Sequence, residues 1–242
     1  MINQNVFELQ TQKILKYLKS HLRYDESFLP RPFFLEITGT PAAGKTTTIT
    51  ELDKFLRHHG FRVLRPQEGA EVIRHIPRTT PLYNIRTGLY ALSKLIDYSH
   101  DHLYDIVIFD RCIFDVYCWM SYWQEKSKIS KEEMDLFQQF FLSRFWIDKI
   151  DAAYFMICSS QEAMRRELRI ALSQKLGETT NPKTLETMVA RYRSAYEILS
   201  PRHKQLHLIN TTNLDEQKMV EIVAAKTLEI FEQKTKRGEN NG

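Results

Sequence analysis

Phe33-Phe34-Leu35-Glu36-Ile37-Thr38-Gly39-Thr40-Pro41-Ala42-Ala43-Gly44-Lys45-Thr46 reads as a short apolar strand, a glycine-bounded turn and the start of a helix. Gly39 through Thr46 fits the phosphate-binding pattern G-x-x-x-x-G-K-[ST] at every fixed position. Gly39 and Gly44 permit backbone shapes closed to residues with a Cβ, so the loop's N–H groups can converge on phosphate oxygens. The following helix adds partial positive charge at its N-terminus. Lys45 is placed to reach the β- and γ-phosphates, and the Thr46 hydroxyl to ligate Mg²⁺. The expected triphosphate site is therefore Gly39, Thr40, Pro41, Ala42, Ala43, Gly44, Lys45, Thr46 and the adjoining Thr47. ATP and Mg²⁺ are its expected ligands.

Outward from that stretch, strands alternate with helices. Further strands are expected at 61–64, 105–110, 152–158 and 206–209, and helices at 43–59, 82–98, 114–124, 131–146, 161–172, 185–199 and 214–231. Asp105-Ile106-Val107-Ile108-Phe109-Asp110 is too apolar to alternate, which fits a parallel strand covered on both faces. The order predicts an α/β fold of three layers around a five-stranded, mainly parallel sheet with helices on both faces. Ligands in such sheets bind beyond the carboxyl ends of the strands, where the motifs fall. Residues 1–32 read as an amphipathic helix over Val6–Leu22 and a linker packed on the core. Residues 33–233 read as the main domain, and 234–242 as a flexible tail.

Composition narrows the class. The chain has 242 residues with 34 Lys and Arg against 30 Asp and Glu, a bias too weak to indicate a nucleic-acid binder. Aromatic residues make up 12%, bulk that disordered chains lack. Cys112, Cys118 and Cys158 form no C-x-x-C pair, so packed, reduced thiols and a cytoplasmic setting are expected, not a zinc site. No signal peptide or membrane-spanning stretch is expected.

Two groups of residues suggest phosphoryl transfer. Asp110-Arg111 ends the third strand, where a carboxylate can hold Mg²⁺ together with Thr46, and the arginine can hold a substrate. Asp115 lies one helical turn on and can share that pocket. Arg165, Arg166 and Arg169 follow the fourth strand. Arg165 and Arg169 share a helix face, a repulsive arrangement that polyphosphate would reverse. Positive charge there also suits a phosphoryl transition state. A solvated basic face paired with Glu162 and Glu167 is the plainer alternative. The guanine motif Asn-Lys-x-Asp and the transporter motif Leu-Ser-Gly-Gly-Gln do not occur.

These features together resemble the deoxynucleoside kinase and thymidylate kinase superfamily. The resemblance spans Phe33 to Leu228. It rests on Gly39–Thr46, Gln67-Glu68-Gly69, Asp110-Arg111-Cys112, Arg165–Arg169, and the stretch from Asn181-Pro182 through Tyr192 and Tyr196. It implies a P-loop kinase fold with an arginine-bearing lid near 160–184. It also implies a carboxylate after the second strand that activates the attacking hydroxyl. Glu68 is the best match, with Glu71 as competitor. Lys45, Glu68, Asp110, Arg111, Arg165 and Arg169 are then the expected catalytic residues, with Arg165 and Arg166 at the nucleotide. Glu68, Arg86, Arg111 and Asp115 are expected at the acceptor. Asp-Arg-Cys stands where nucleoside kinases commonly have Glu-Arg-Ser, and residues 74–86 are unusually basic for a neutral acceptor. The acceptor is therefore expected to be a small molecule, a nucleoside or nucleotide. A homodimer is compatible with the resemblance.

Two other readings stand beside this one: a regulatory ATPase whose nucleotide-ordered segment is read by a protein partner, and a polynucleotide 5′-kinase. The aromatic stretch Phe114, Tyr117, Trp119, Tyr122 and Trp123 has helical spacing, which fits core packing or an interface better than stacking on a base.

Overall fold

The computed structural model describes residues 8–9, 11–13, 15–16, 31–101, 103–170 and 181–239, with side chains at all of these except 169–170 and 234–239. Five strands form one sheet: β1 (Phe33–Gly39), β2 (Val63–Leu64), β3 (Ile106–Asp110), β4 (Ile150–Ile157) and β5 (Leu206–Asn210). Their spatial order is β2-β3-β1-β4-β5, and every pairing is parallel. The helices are α1 (Lys45–His58), α2 (Gly69–Val72), α3 (Pro81–Tyr98), α4 (Ile113–Glu125), α5 (Lys131–Phe141), α6 (Arg144–Ile147), α7 (Ser160–Ile170), α8 (Pro182–Leu199) and α9 (Glu216–Glu239).

The apolar runs become central strands because both faces are covered. Phe33, Leu35 and Ile37 of β1, Ile106 and Ile108 of β3, and Tyr154 and Met156 of β4 pack with Ile49, Leu52 and Leu56 of α1 and with Val223 and Leu228 of α9. The alternate residues Phe34, Val107, Phe109, Ala153 and Phe155 pack with α3, α4, α5 and α8 on the other face. Each fully buried side chain of this kind contributes about 1.5–3 kcal/mol. The central position of β1 puts its carboxyl end, and the loop after it, between the ends of β3 and β4.

Most expected elements occur, with local differences. The helix expected over 131–146 is two pieces. Trp146 folds back and donates its indole N–H to the Phe140 and Phe141 carbonyls at 2.9 and 3.0 Å, satisfying the end of α5. Its start is a reciprocal cap, with Ser130 Oγ accepting from the Glu133 N–H and Glu133 Oε2 from the Ser130 N–H. The single turn α2, directly after Glu68, was not expected. Helix α9 runs to Glu239, past the expected end at 231. Of the helix expected over 6–22, the described residues are helical. The remainder, residues 171–180 of the lid expected near 160–184, and residues 240–242 lie outside the described residues. No helix among the described residues is long and apolar enough to cross a membrane. Cys112, Cys118 and Cys158 are all free and buried.

Candidate active site

The turn after β1 takes the shape the two glycines allow. Gly39 has φ +143°, and a Cβ there would lie 1.8 Å from the Met156 carbonyl oxygen of β4. Gly44 has φ +89°, and a Cβ would meet Met219 Sδ at 2.8 Å. Ala42 is also left-handed, at φ +55°, a conformation costing a residue with a Cβ roughly 1–2 kcal/mol. Helix α1 starts without a side-chain cap, so no capping side chain competes with an anion for its opening N–H groups. Lys45 is buried and donates to the Thr40 carbonyl at 2.8 Å.

Behind the loop sits Arg166. Its Nε donates to Glu162, Nη1 to the Ala42 carbonyl and Thr211 Oγ1, and Nη2 to the carbonyls of Thr211 and Leu214. Arg166 was expected at the nucleotide. Its donors are engaged in tying α7 and the loop after β5 to the back of the phosphate loop. Arg165 has its side chain 60% exposed and is paired with Glu162 through Nε and Nη2, both at 2.7 Å. Hydrogen bonding from Arg165, then Arg166, lowers the Glu162 carboxyl to about 2. Arg165 can turn toward the loop only by leaving that carboxylate. The side chain of Arg169 lies outside the described residues. Thr46 is exposed at the loop mouth, whereas Thr47 lines a separate groove between α1, α9 and residues 8–12.

Beside the loop, beyond the ends of β2 and β3, lies a cavity of about 150 Å³. It brings together Glu68, Asp110, Arg111 and Asp115 from three segments that sequence reasoning had selected separately. Arg111 Nε lies 3.5 Å from Glu68 Oε1 and its Nη1 3.7 Å from Asp115 Oδ1. Burial opposes the guanidinium's charge, but Asp115, Tyr192, Asp110 and Glu68 together hold its pKa above the ordinary value. Arg111 has φ +67°, a second left-handed residue with a Cβ at this site. Such strain persists where surrounding contacts over-determine it.

The carboxylates differ in surroundings. Glu68 is half-buried at the N-terminus of α2; burial, with Asp110 nearby, raises its carboxyl above the usual range. Glu71 is exposed and does not line the cavity, so geometry favours Glu68 over its competitor. Burial also raises Asp110, and its Oδ1 is buried with no hydrogen-bond partner among the described residues. An orphaned oxygen at this strand end fits a cation ligand. No cluster of three or more acidic, His or Cys side chains among the described residues could by itself hold a metal. That combination suits Mg²⁺, which takes one or two protein ligands and fills its octahedron with phosphate oxygens and water. Asp115 accepts hydrogen bonds from Thr38 and Tyr192 through Oδ1.

The far wall of the cavity is aromatic and amide-bearing, and the sequence had not singled it out as a site. Tyr83, Asn84 and Thr87 of α3 face Trp119 of α4, with Arg78 at the rim. Trp123 donates its indole N–H to Asn84 Oδ1 at 2.8 Å. An indole nitrogen is donor only, so this contact fixes the amide orientation and leaves NH₂ as the group Asn84 offers. Arg86, expected at the acceptor, lies on the exposed side of α3 and does not line the cavity. Arg86 lies two positions after Asn84, which turns it about 200° away around the helix. Of the aromatic stretch, Phe114, Trp119, Tyr122 and Trp123 are buried. Trp119 and Trp123 stack with centroids 6.0 Å apart. The stretch is core, with Trp119 reaching the cavity.

No family model matches the sequence, and no curated protein matches it either. The fold has solved counterparts. The structure of deoxyadenosine kinase from M. mycoides with products dCMP and a flexible dCDP bound is similar, with a TM-score of 0.59 and 17% identity. The match covers 81% of this chain and 98% of that one. The same enzyme with bound dCTP matches at TM-score 0.54 and 16% identity, covering 81% and 98%. With bound dATP the values are 0.54 and 17%, covering 81% and 99%. The chain therefore has the P-loop kinase fold expected from its motifs.

Proposed function

We propose that this chain is a Mg²⁺-ATP-dependent kinase acting on a nucleoside or nucleoside monophosphate. The observation that carries the reading is the convergence of Glu68, Arg111 and Asp115 in one cavity beside Lys45 and Asp110. Donor and acceptor sites thus share an edge of the sheet. The fold shared with deoxyadenosine kinases supports it. The cavity's small size favours a small acceptor over a polynucleotide end or a protein surface.

The residues divide the work. Backbone N–H groups of the 39–47 loop hold the triphosphate, except at Pro41, which has none, and at Thr40, which donates to the Met156 carbonyl. Lys45 neutralises the charge of its β- and γ-phosphates. Thr46 and Asp110 would hold Mg²⁺, which would neutralise charge developing on the phosphates. Glu68 orients the attacking hydroxyl and takes its proton. Arg111, with Arg165 and Arg169 from the lid side, supplies positive charge to the equatorial oxygens in the transition state. Asp115 orients the acceptor. The Asn84 NH₂ suits a ring carbonyl or ring nitrogen of a nucleobase, with Trp119 and Tyr83 as apolar walls. Reduced, buried cysteines are compatible with a cytoplasmic enzyme. Purified protein with ATP, Mg²⁺ and a panel of nucleosides and nucleotides should release ADP only with particular acceptors. Hydrolysis at one slow rate across the whole panel would exclude the reading.

Glu68→Gln keeps the side chain's shape while removing its proton affinity. The side chain is partly exposed, so the fold should be unaffected. kcat should fall about 10²–10⁴-fold with the KM for ATP little changed. The wild-type acid limb should lie above the ordinary glutamate range, because burial raises this group, and the variant should lose that limb. Steady-state pH profiles of both proteins check this.

Lys45 gives a second expectation. Burial, then the neighbouring Arg111, lowers its ammonium from 10.5 to about 8. Between those values the folded chain binds fewer protons than the unfolded one. Stability therefore gains from Lys45 as pH rises through that window, and below about 8 the cost of burying its charge is carried in full. Triphosphate oxygens would restore the proton. Nucleotide binding at about pH 9 should therefore take up close to one proton per site. Calorimetry in buffers of different ionisation enthalpy measures this. A buffer-independent heat would contradict the placement of Lys45 against phosphate.

A further inference from the structure

The middle of β1 carries a carboxylate that the phosphate grip does not use. Glu36 is fully buried on the same face of the strand as Phe34, beneath the start of α4. Its Oε1 accepts the backbone N–H groups of Cys112 at 2.9 Å and Asp115 at 3.0 Å, and its Oε2 that of Phe114 at 3.2 Å. These are opening donors of α4, and its N-cap residue Cys112 supplies no side-chain cap. A strand carboxylate thus caps a helix 76 to 79 residues away in sequence. A negative charge there also complements the helix dipole. Burial pushes the Glu36 carboxyl up, and the three N–H donors, which favour the ionised oxygens as acceptors, pull against that rise.

The capped segment carries Arg111 and Asp115. The next two residues of β1 hold the same segment. The Ile37 carbonyl accepts the Arg111 N–H at 3.0 Å, and the Thr38 hydroxyl donates to Asp115 Oδ1. Arg111 keeps its left-handed backbone between these anchors. We propose that Glu36 is a positioning residue for phosphoryl transfer: by gathering the N–H groups of Cys112, Phe114 and Asp115 it sets where Arg111 and Asp115 stand against the acceptor. This rests on the kinase reading. It goes beyond it in making a buried strand residue, in contact with neither substrate, a determinant of acceptor handling.

The test compares wild type with Glu36→Gln and Glu36→Asp. The glutamine keeps the volume but turns an NH₂ toward backbone donors. Competent sites are counted by calorimetry with Mg²⁺-ATP, and rates are expressed per competent site. For Glu36→Gln, the ATP dissociation constant should stay within about 2-fold of wild type, since the loop has its own contacts. The acceptor KM should rise and kcat fall, each about 10-fold. Amide exchange should accelerate at 112, 114 and 115 but not at 45–48. Glu36→Asp, which keeps the charge, should recover part of the rate. The proposal is overturned if Glu36→Gln lowers the melting temperature or the count of competent sites while acceptor KM and per-site kcat stay at wild-type values. Should wild type itself transfer no phosphoryl group, the kinase reading fails, and the exchange pattern still decides whether Glu36 clamps residues 112–115.

Discussion

Lys45→Ala is expected to lose at least about 10³-fold in kcat/KM while melting at the wild-type temperature or above. The rate effect follows from where charge develops. A preorganised donor aimed at transferring phosphoryl oxygens in a water-poor site is worth about 3–4 kcal/mol, roughly 10²–10³-fold. In the proposed site Lys45 would meet both phosphates of the scissile bridge, so the upper end of that range or more is expected. Stability should move the other way. Lys45 is 8% exposed, and among the described residues its ammonium donates to the Thr40 carbonyl. An ammonium lowered to about 8 by burial is one the fold holds at a cost. Its removal relieves that cost and gives up one hydrogen bond. Kinetics paired with thermal melting checks both signs. A variant retaining turnover would remove Lys45 from the site, and one that unfolds would make it structural.

Gly39→Ala should have the largest effect on folding among the loop positions. The added methyl would sit 1.8 Å from the Met156 carbonyl oxygen, where the neighbour is backbone and cannot rotate away. The residue's φ of +143° is also one that alanine rarely adopts. Relief requires β1 to part from β4, beside the bond from the Thr40 N–H to that same carbonyl. A loss of roughly 3–5 kcal/mol is expected, or a fall of about 10 °C in Tm for a chain of this size. Gly69→Ala is the contrast. It has no left-handed φ, and a Cβ there would lie 3.1 Å from the side chain of Thr87. Its Tm should fall by no more than about 2–4 °C. Equal losses at both positions would contradict the view that close approach of β1 to β4 imposes the first glycine.

The sequence made the phosphate loop legible because the requirement is local: backbone shape needs Gly39 and Gly44, and charge needs Lys45, all within eight positions. The positions of the strands were also readable, since apolar runs between Gly, Pro and Asp mark buried strands. Glu36 was not readable as anything but a strand residue. It is a lone acid in an apolar run, and its partners lie 76 to 79 residues on. The far wall of the cavity was hidden for the same reason. Asn84 and Trp119 belong to different helices, and Asn84 acquires its orientation from Trp123. Arg166 was grouped with Arg165 and Arg169 by proximity in sequence. Helical spacing already set it apart, since it lies three residues after Ala163, which is buried against the core. Arg86 does not line the cavity, because basic residues near a pocket in sequence need not face it in space.

The fate of the γ-phosphoryl group tests the central claim most directly. Protein, Mg²⁺ and γ-labelled ATP would be incubated with an equimolar mixture of nucleosides and nucleoside monophosphates, and the labelled products identified by mass spectrometry. Label should appear on a nucleoside or nucleotide acceptor, and this product should vanish in Lys45→Ala. Label recovered wholly as inorganic phosphate would show that the cavity beside the loop receives water, not an acceptor.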